Sequence, residues 1–146
     1  MDDVEAIKRV VTKQEITEVL HRYCQAMDRI DNDLGYRVWH DDGTVDYVGT
    51  FQGTGREFVD WVLDQHRKMV RTFHQVTNVM IELDGDQAES ECYAFACNRV
   101  GDRDFVMRGR YLDSFTRRDG EWRIQHRRFE ADLMQVLPST FDLPPL

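Results

Sequence analysis

Proline is scarce in this chain of 146 residues, and all three prolines lie at the end, at 138, 144 and 145. Nothing therefore breaks secondary structure before the tail. Cysteine is also scarce: three residues cannot pair into a complete disulfide framework, and Cys92-x4-Cys97 is not the Cys-x2-Cys of a zinc knuckle. No apolar run approaches the roughly 18 residues of a membrane helix, and mean hydropathy is −0.60. Positive charge is in deficit, with 19 Lys and Arg against 27 Asp and Glu. A net charge of −8 argues against a nucleic-acid partner, which needs a basic face. It leaves room for a small acidic ligand held by one or two buried arginines. No repeat and no low-complexity segment is visible. There is no Gly-x-Ser-x-Gly elbow, and Gly49, Gly53 and Gly55 are not followed by the Gly-Lys-Ser/Thr of a phosphate loop. His40-Asp41-Asp42 has no second histidine at ligand spacing, so it reads as a solvated loop and no metal is expected.

What is present describes one packed domain. Hydrophobic residues make up 41% and aromatics 11%, enough for a core at this length without staples. The domain is expected to fill residues 1–146, with a core over about 10–134 and a tail over 135–146. The acidic start, Met1-Asp2-Asp3-Val4-Glu5, is unlike a secretory leader and predicts a cytoplasmic protein.

Ile16, Leu20, Tyr23, Cys24 and Met27 recur at helical spacing, predicting a helix from about Gln14 to Ile30. Thr12-Lys13-Gln14-Glu15 reads as its capping box. Asp31-Asn32-Asp33 ends it with turn residues, and a short helical turn follows over 34–39. Residues 43–49 and 50–52 predict two short strands. Thr54-Gly55-Arg56-Glu57 then opens a second helix, with an apolar stripe of Phe58, Val59, Val62, Leu63, Met69 and Val70. Four long strands follow, over about 72–83, 87–99, 104–116 and 121–134. Asp84-Gly85-Asp86, Gly101-Asp102 and Asp119-Gly120 mark the turns between them. The fold class is α+β: helices on one face of a curved antiparallel sheet. Long strands accumulate twist and curl, so the sheet makes a half-barrel whose mouth the helices close, and a pocket is expected.

Several side chains could carry chemistry there. Asp28 adjoins the apolar stripe of the first helix and sits near its C-terminus, where the macrodipole disfavours an anion. It reads either as an acid–base carboxyl or as the last solvated residue of the helix. His74 lies early in the first long strand, in phase with Val76 and Met80, whereas Phe73, Val79 and Leu83 share the opposite phase. Alternation therefore leaves its face open, and with it the choice between a proton-transfer group and an ordinary histidine. Tyr23 and Tyr47 each read as a core aromatic or as a donor to a substrate oxygen. Arg127 and Arg128 have opposite phases on the last strand, so one of them faces inward if the strand is regular. An inward arginine needs either a protein carboxylate or a ligand anion.

The ordered set Glu15-Ile16-x4-His21-Arg22-Tyr23-Cys24-x3-Asp28, Phe51-Gln52-Gly53, Phe73-His74-Gln75-Val76-Thr77-Asn78 and Tyr111-x3-Phe115-x3-Asp119-Gly120-Glu121-Trp122-Arg123-Ile124 resembles the SnoaL-like branch of the nuclear transport factor 2-like superfamily. Within it the chain looks most like the scytalone dehydratase, bile acid 7α-dehydratase and hexachlorocyclohexane dehydrochlorinase group. The resemblance implies a cystatin-like cone and a cofactor-free lyase or isomerase. It places Asp28 and His74 at the positions of the group's acid–base dyad and Tyr23 at that of a pocket tyrosine. Arg127 falls near a pocket arginine, with Arg128 as the other choice if a bulge intervenes. Two departures stand out: no lysine lies near Asp28, and a second pocket histidine lacks a clear counterpart, with His126 the nearest substitute. The expected partner is a small hydrophobic cyclic substrate. A homodimer or homotrimer is also expected, because two helices cannot cover both faces of such a sheet. The rival expectations are a non-catalytic binding protein and a small structural subunit of a larger oxygenase.

Overall fold

A computed structural model describes residues 1–140 and 142–144. The order of elements is helix, short helix, two strands, helix and four long strands. These are α1 (Asp3–Arg29), α2 (Asn32–Arg37), β1 (Trp39–Tyr47), β2 (Phe51–Thr54), α3 (Gly55–His66), β3 (Arg71–Asp84), β4 (Gln87–Val100), β5 (Arg103–Arg118) and β6 (Glu121–Pro138). One six-stranded sheet runs β2-β1-β6-β5-β4-β3. All neighbours are antiparallel except β1 and β6, which are parallel. The cystatin-like α+β fold expected from the sequence is present, with the sheet curled and not closed.

Several boundaries differ from expectation, among them the short helix, which is α2 over Asn32–Arg37 and not 34–39, and β1, which starts at Trp39 and not at residue 43. The first helix begins eleven residues before Gln14, at Asp3, capped by the Asp2 carboxylate on the Glu5 amide. Thr12 and Glu15 thus lie inside a continuous helix and form no capping box. The signal was hidden because the first three turns place their aliphatic residues away from the body. The α3 helix starts where expected, with the reciprocal Thr54–Glu57 capping box formed, but it stops at His66. Met69 and Val70 therefore lie outside it. The last strand runs on to Pro138 because the start of β5 pairs with it, so the first residues of the expected tail are strand. Residues 141, 145 and 146 of that tail lie outside the described residues.

The helices pack Ile16, Val19, Leu20, Met27, Phe58, Val59 and Leu63 against the concave face of the sheet, all of them buried. On this face β4 and β5 contribute Ala94, Ala96 and Gly109. A Cβ at Gly109 would run into the Glu130 carbonyl and the Phe129 ring, so glycine lets the bulged β5–β6 pair close over this stretch.

Two bulges decide which side chains reach the interior. In β3, Thr77 opposes Tyr93 and Met80 opposes Glu91, so three steps on one strand match two on the other. The extra residue is taken up with Asn78 at φ 54, a left-handed conformation that asparagine tolerates. The bulge reverses the phase of the strand. His74 and Val76 face inward before it and Val79, Ile81 and Leu83 after it, leaving Phe73 and Met80 outside. In β6, Ser114 opposes His126 and Phe115 opposes Ile124, so Gln125 is the added residue. Trp122 and Ile124 face in before that bulge, Arg127 and Phe129 after it.

Candidate active site

The last full turn of α1 meets β3 and α3 at one cluster. The His74 imidazole donates from Nδ1 to Asp28 Oδ1 at 2.7 Å, and the His74 backbone N–H donates to Asp28 Oδ2 at 3.0 Å. Both carboxylate oxygens are thereby occupied by one residue, which fixes ring and carboxylate together. In the neutral form of the ring, donation from Nδ1 leaves Nε2 with the free lone pair. The His74 side chain is 8% exposed and that of Asp28 26%, so the pair lies at the rim of the interior.

Beside it stands a histidine that the sequence reading passed over. His66, the last residue of α3, is buried, and its ring centroid is 5.1 Å from that of His74. Its Nδ1 lies 3.3 Å from the Met27 carbonyl oxygen, one residue before Asp28. The Thr72 hydroxyl donates to the same carbonyl at 3.3 Å. Burial, reinforced by His74, brings the His66 pKa down to about 4, so the ring is neutral at physiological pH. A signal for it existed: His66 continues the apolar stripe of α3 three residues beyond Leu63. His126, the expected substitute, faces outward and bonds the Thr44 hydroxyl at 2.8 Å.

Deeper in the cone lies a cluster of phenols around a guanidinium. The Tyr23 and Tyr47 hydroxyls are 2.7 Å apart, and the Tyr111 ring meets Tyr23 edge-on at 5.6 Å. Arg127 stands with its guanidinium 3.8 Å from the Tyr111 ring centroid and 4.3 Å from that of Tyr23. It pairs bidentately with Asp113, Nε to Oδ1 and Nη2 to Oδ2, both at 2.7 Å, and both side chains are fully buried. Its Nη1 has no partner among the described residues. Burial raises all three phenols above their usual range, Tyr23 and Tyr111 strongly, with Tyr47 adding to the effect on Tyr23. They are therefore neutral donors at physiological pH. Burial likewise pushes the thiol of Cys24 up to about 11 and that of Cys92 to about 12, which removes both as nucleophiles.

The choice between the two arginines is thus decided by the Gln125 bulge. Arg127 is inside. Arg128 is not, which corrects the expectation that it could bind substrate: its side chain is half exposed and pairs with Asp46 at 3.1 Å and Glu130 at 2.9 Å. Asp113, the partner of Arg127, was not singled out from sequence. Its signal was its phase on β5, shared with Tyr111 and Phe115. Where a pocket was expected, Tyr23, Tyr111, Phe129 and Arg127 pack the middle of the cone, and the Arg127 side chain has no accessible surface. Across the sheet from His74 come Ala96 on β4 and Met107 on β5, and the next row toward Tyr111 carries Val76, Ala94 and Gly109.

The SnoaL-like domain model matches residues 4–128, most of the chain, and the chain belongs to that family. No curated protein sequence matches it. Among solved structures it is similar to a hexachlorocyclohexane dehydrochlorinase, LinA-type3, from Novosphingobium barchaimii, at 16% identity and TM-score 0.84, covering 96% of this chain and 99% of that one. It is similar to a protein from Novosphingobium aromaticivorans assigned as a scytalone dehydratase, at 18% identity and TM-score 0.81, covering 96% and 94%. A Mycobacterium tuberculosis protein of unknown function is 26% identical, with TM-score 0.79, over 90% of this chain and 77% of that one. Within the chain's own structure, no helix among the described residues is long and apolar enough to cross a membrane.

Proposed function

We propose that this protein is a cofactor-free lyase or isomerase that removes a proton from carbon in a small, hydrophobic, cyclic substrate. The reading rests on one observation: the Asp28 carboxylate accepts from both the side chain and the backbone of His74. This leaves Nε2 of a neutral imidazole as the base, and the adjacent carboxylate stabilises the imidazolium formed when the ring takes the proton. The electron pair released from the C–H bond moves toward a carbonyl oxygen, or expels a group on the β carbon. Tyr23 and Tyr47 suit the first case, because one hydroxyl of the pair donates to the other and leaves a proton to offer. In a dehydration, the imidazolium returns its proton to the departing hydroxyl, so that water leaves and the base is regenerated. Arg127, saturated on two nitrogens by Asp113, serves to hold Tyr23 and Tyr111 in place and presents Nη1 as the remaining donor.

Two of the similar structures carry names, hexachlorocyclohexane dehydrochlorinase and scytalone dehydratase, that point to cyclic compounds this reading accommodates, and the small residues Ala94 and Gly109 between the His74 and Tyr111 rows suit a flat ring. Self-association belongs to the same proposal. Phe73, Tyr93 and Leu133 are all exposed on the convex face, where a groove of about 660 Å³ runs between Tyr93, Phe95, Arg108 and Leu133. The test is turnover across cyclic β-hydroxyketones and halogenated cyclohexanes. Wild type is expected to convert at least one of them, with Asp28→Asn and His74→Ala inactive but folded. Retained turnover in either variant removes the dyad, and ligand binding without turnover makes the protein a carrier.

A further inference from the structure

The outer end of the concave face carries a polar side chain whose oxygen the fold leaves unanswered. His74 of β3 lies opposite Ala96 of β4, and Asn98 follows two residues farther along β4, on the same face. His74 and Asn98 are thus diagonal neighbours across an antiparallel pair, about 7–8 Å apart. The row through Asn98 runs Thr72, Asn98, Phe105 and Val136. It lies one step farther from Tyr111 than the row of His74, Ala96, Met107 and Met134. The Asn98 Oδ1 is buried and has no partner among the described residues. Thr72, directly opposite, donates its hydroxyl to the Met27 carbonyl at 3.3 Å, and Phe105 has no polar group to offer. A buried carboxamide oxygen without a partner costs stability, and native folds keep few of them.

The surroundings say what answers it. Phe105, Met134 and Val136 are exposed and Met107 is half-buried, so an open apolar trough runs beside both Asn98 and His74. Arg99 and Asp104 take the opposite phase in β4 and β5 and satisfy each other, Nη2 to Oδ2 at 3.0 Å. Their charges are spent away from the trough. A carboxamide is neutral and both donates and accepts, which matches a neutral hydroxyl that does the same. An anion could use only the amide N–H and would be repelled by the oxygen. The diagonal spacing suits a six-membered ring that turns a C–H bond toward His74 Nε2 and a hydroxyl toward Asn98. We propose that Asn98 is a specificity-determining residue that binds a ring hydroxyl of the substrate, on the side of the ring away from the tyrosines. This deepens the reading of His74 as the base and rests on it for the placement of the ring.

The full chain tests it with two probes, 4-hydroxycyclohexanone and 4-methylcyclohexanone, which differ by a hydroxyl against a methyl of similar size. In ¹H–¹⁵N titrations, wild type is expected to bind the hydroxy ketone about tenfold more tightly, the worth of one well-made hydrogen bond. The Asn98 side-chain amide, identified by its loss in Asn98→Leu, is expected to shift with the hydroxy ketone alone. The preference is expected to vanish in Asn98→Leu. That variant is expected to melt at or above wild type, because it removes an unpartnered buried group. Asn98→Ala, which cannot overpack the site, carries the same binding test if it does not. Equal affinity for the two ketones in wild type overturns the proposal, as does a preference that survives Asn98→Ala. Exchange of the ketone α protons into deuterated water separates this claim from the one beneath it. Exchange that depends on His74, without any preference between the ketones, removes the hydroxyl subsite and leaves the base. A preference that depends on Asn98, without exchange, removes the base and leaves the subsite.

Discussion

Asp28 holds His74 at two points, one oxygen on the imidazole Nδ1 and the other on the backbone N–H of the same residue. The backbone bond ties the end of α1 to the start of β3, and the side-chain bond selects the tautomer. These functions separate under mutation. Asparagine can still accept the backbone bond through its carbonyl oxygen but carries no charge to stabilise an imidazolium. Asp28→Asn is therefore expected to melt close to wild type, within about 1 kcal/mol, while turnover falls by about 10²–10⁴-fold. Paired melting and rate measurements check this.

The Arg127–Asp113 pair is expected to be costly to break from one side. Asp113→Ala strands a buried guanidinium among aromatic rings, and Arg127→Met strands a buried carboxylate. Each is expected to destabilise the fold by about 3–5 kcal/mol. The double variant Arg127→Met with Asp113→Leu is expected to recover most of that loss, since neither ion is then left unpaired. Urea unfolding of the three variants measures it.

His66 gives the protein an acid-side sensitivity. Its pKa is held at about 4 in the folded state, against an ordinary 6.5 in the unfolded chain. The unfolded state therefore binds the proton more readily. The contribution to stability is complete above pH 6.5 and is lost as pH falls toward 4, by about 3 kcal/mol in total. His66→Phe keeps a ring beside His74 and removes the titration. Its unfolding free energy is expected to fall less steeply than that of wild type between these two values, and a series of urea midpoints reads the difference.

Asn78 carries the bulge that turns His74 inward. Asn78→Gly is expected to leave stability unchanged within about 0.5 kcal/mol. Asn78→Val, β-branched at φ 54, is expected to cost about 1–2 kcal/mol and to loosen the His74 bond to Asp28. Thermal melts measure the cost, and the His74 amide shift reports the bond.

Much of this architecture was legible because it is written in local signals. The Asp-Gly turns delimit the long strands, the Thr54–Glu57 box opens α3, and the spacing from Ile16 to Met27 sets the core face of α1. What could not be read depends on residues distant in sequence. Strict alternation would place His74 with Met80 and Arg127 with Arg123. The structure departs from both because Asn78 and Gln125 add one residue to their strands, and a bulge depends on the facing strand as much as on its own. The start of α1 was missed because Val4, Ile7 and Val11 are out of phase with the core stripe. His66 and Asp113 were missed because each has meaning only beside a partner from another element, the His74 ring in one case and the Arg127 guanidinium in the other.

The most direct measurement of the central claim needs no substrate. A long-range ¹H–¹⁵N spectrum of the histidine side chains, recorded where the His74 imidazole is neutral, reports which ring nitrogen carries the proton. The expected result is a proton on Nδ1, shared with Asp28, and a bare Nε2, with this preference lost in Asp28→Asn. A His74 that carries its proton on Nε2, or whose tautomer is the same in wild type and Asp28→Asn, would contradict the assignment of His74 as a base oriented by Asp28.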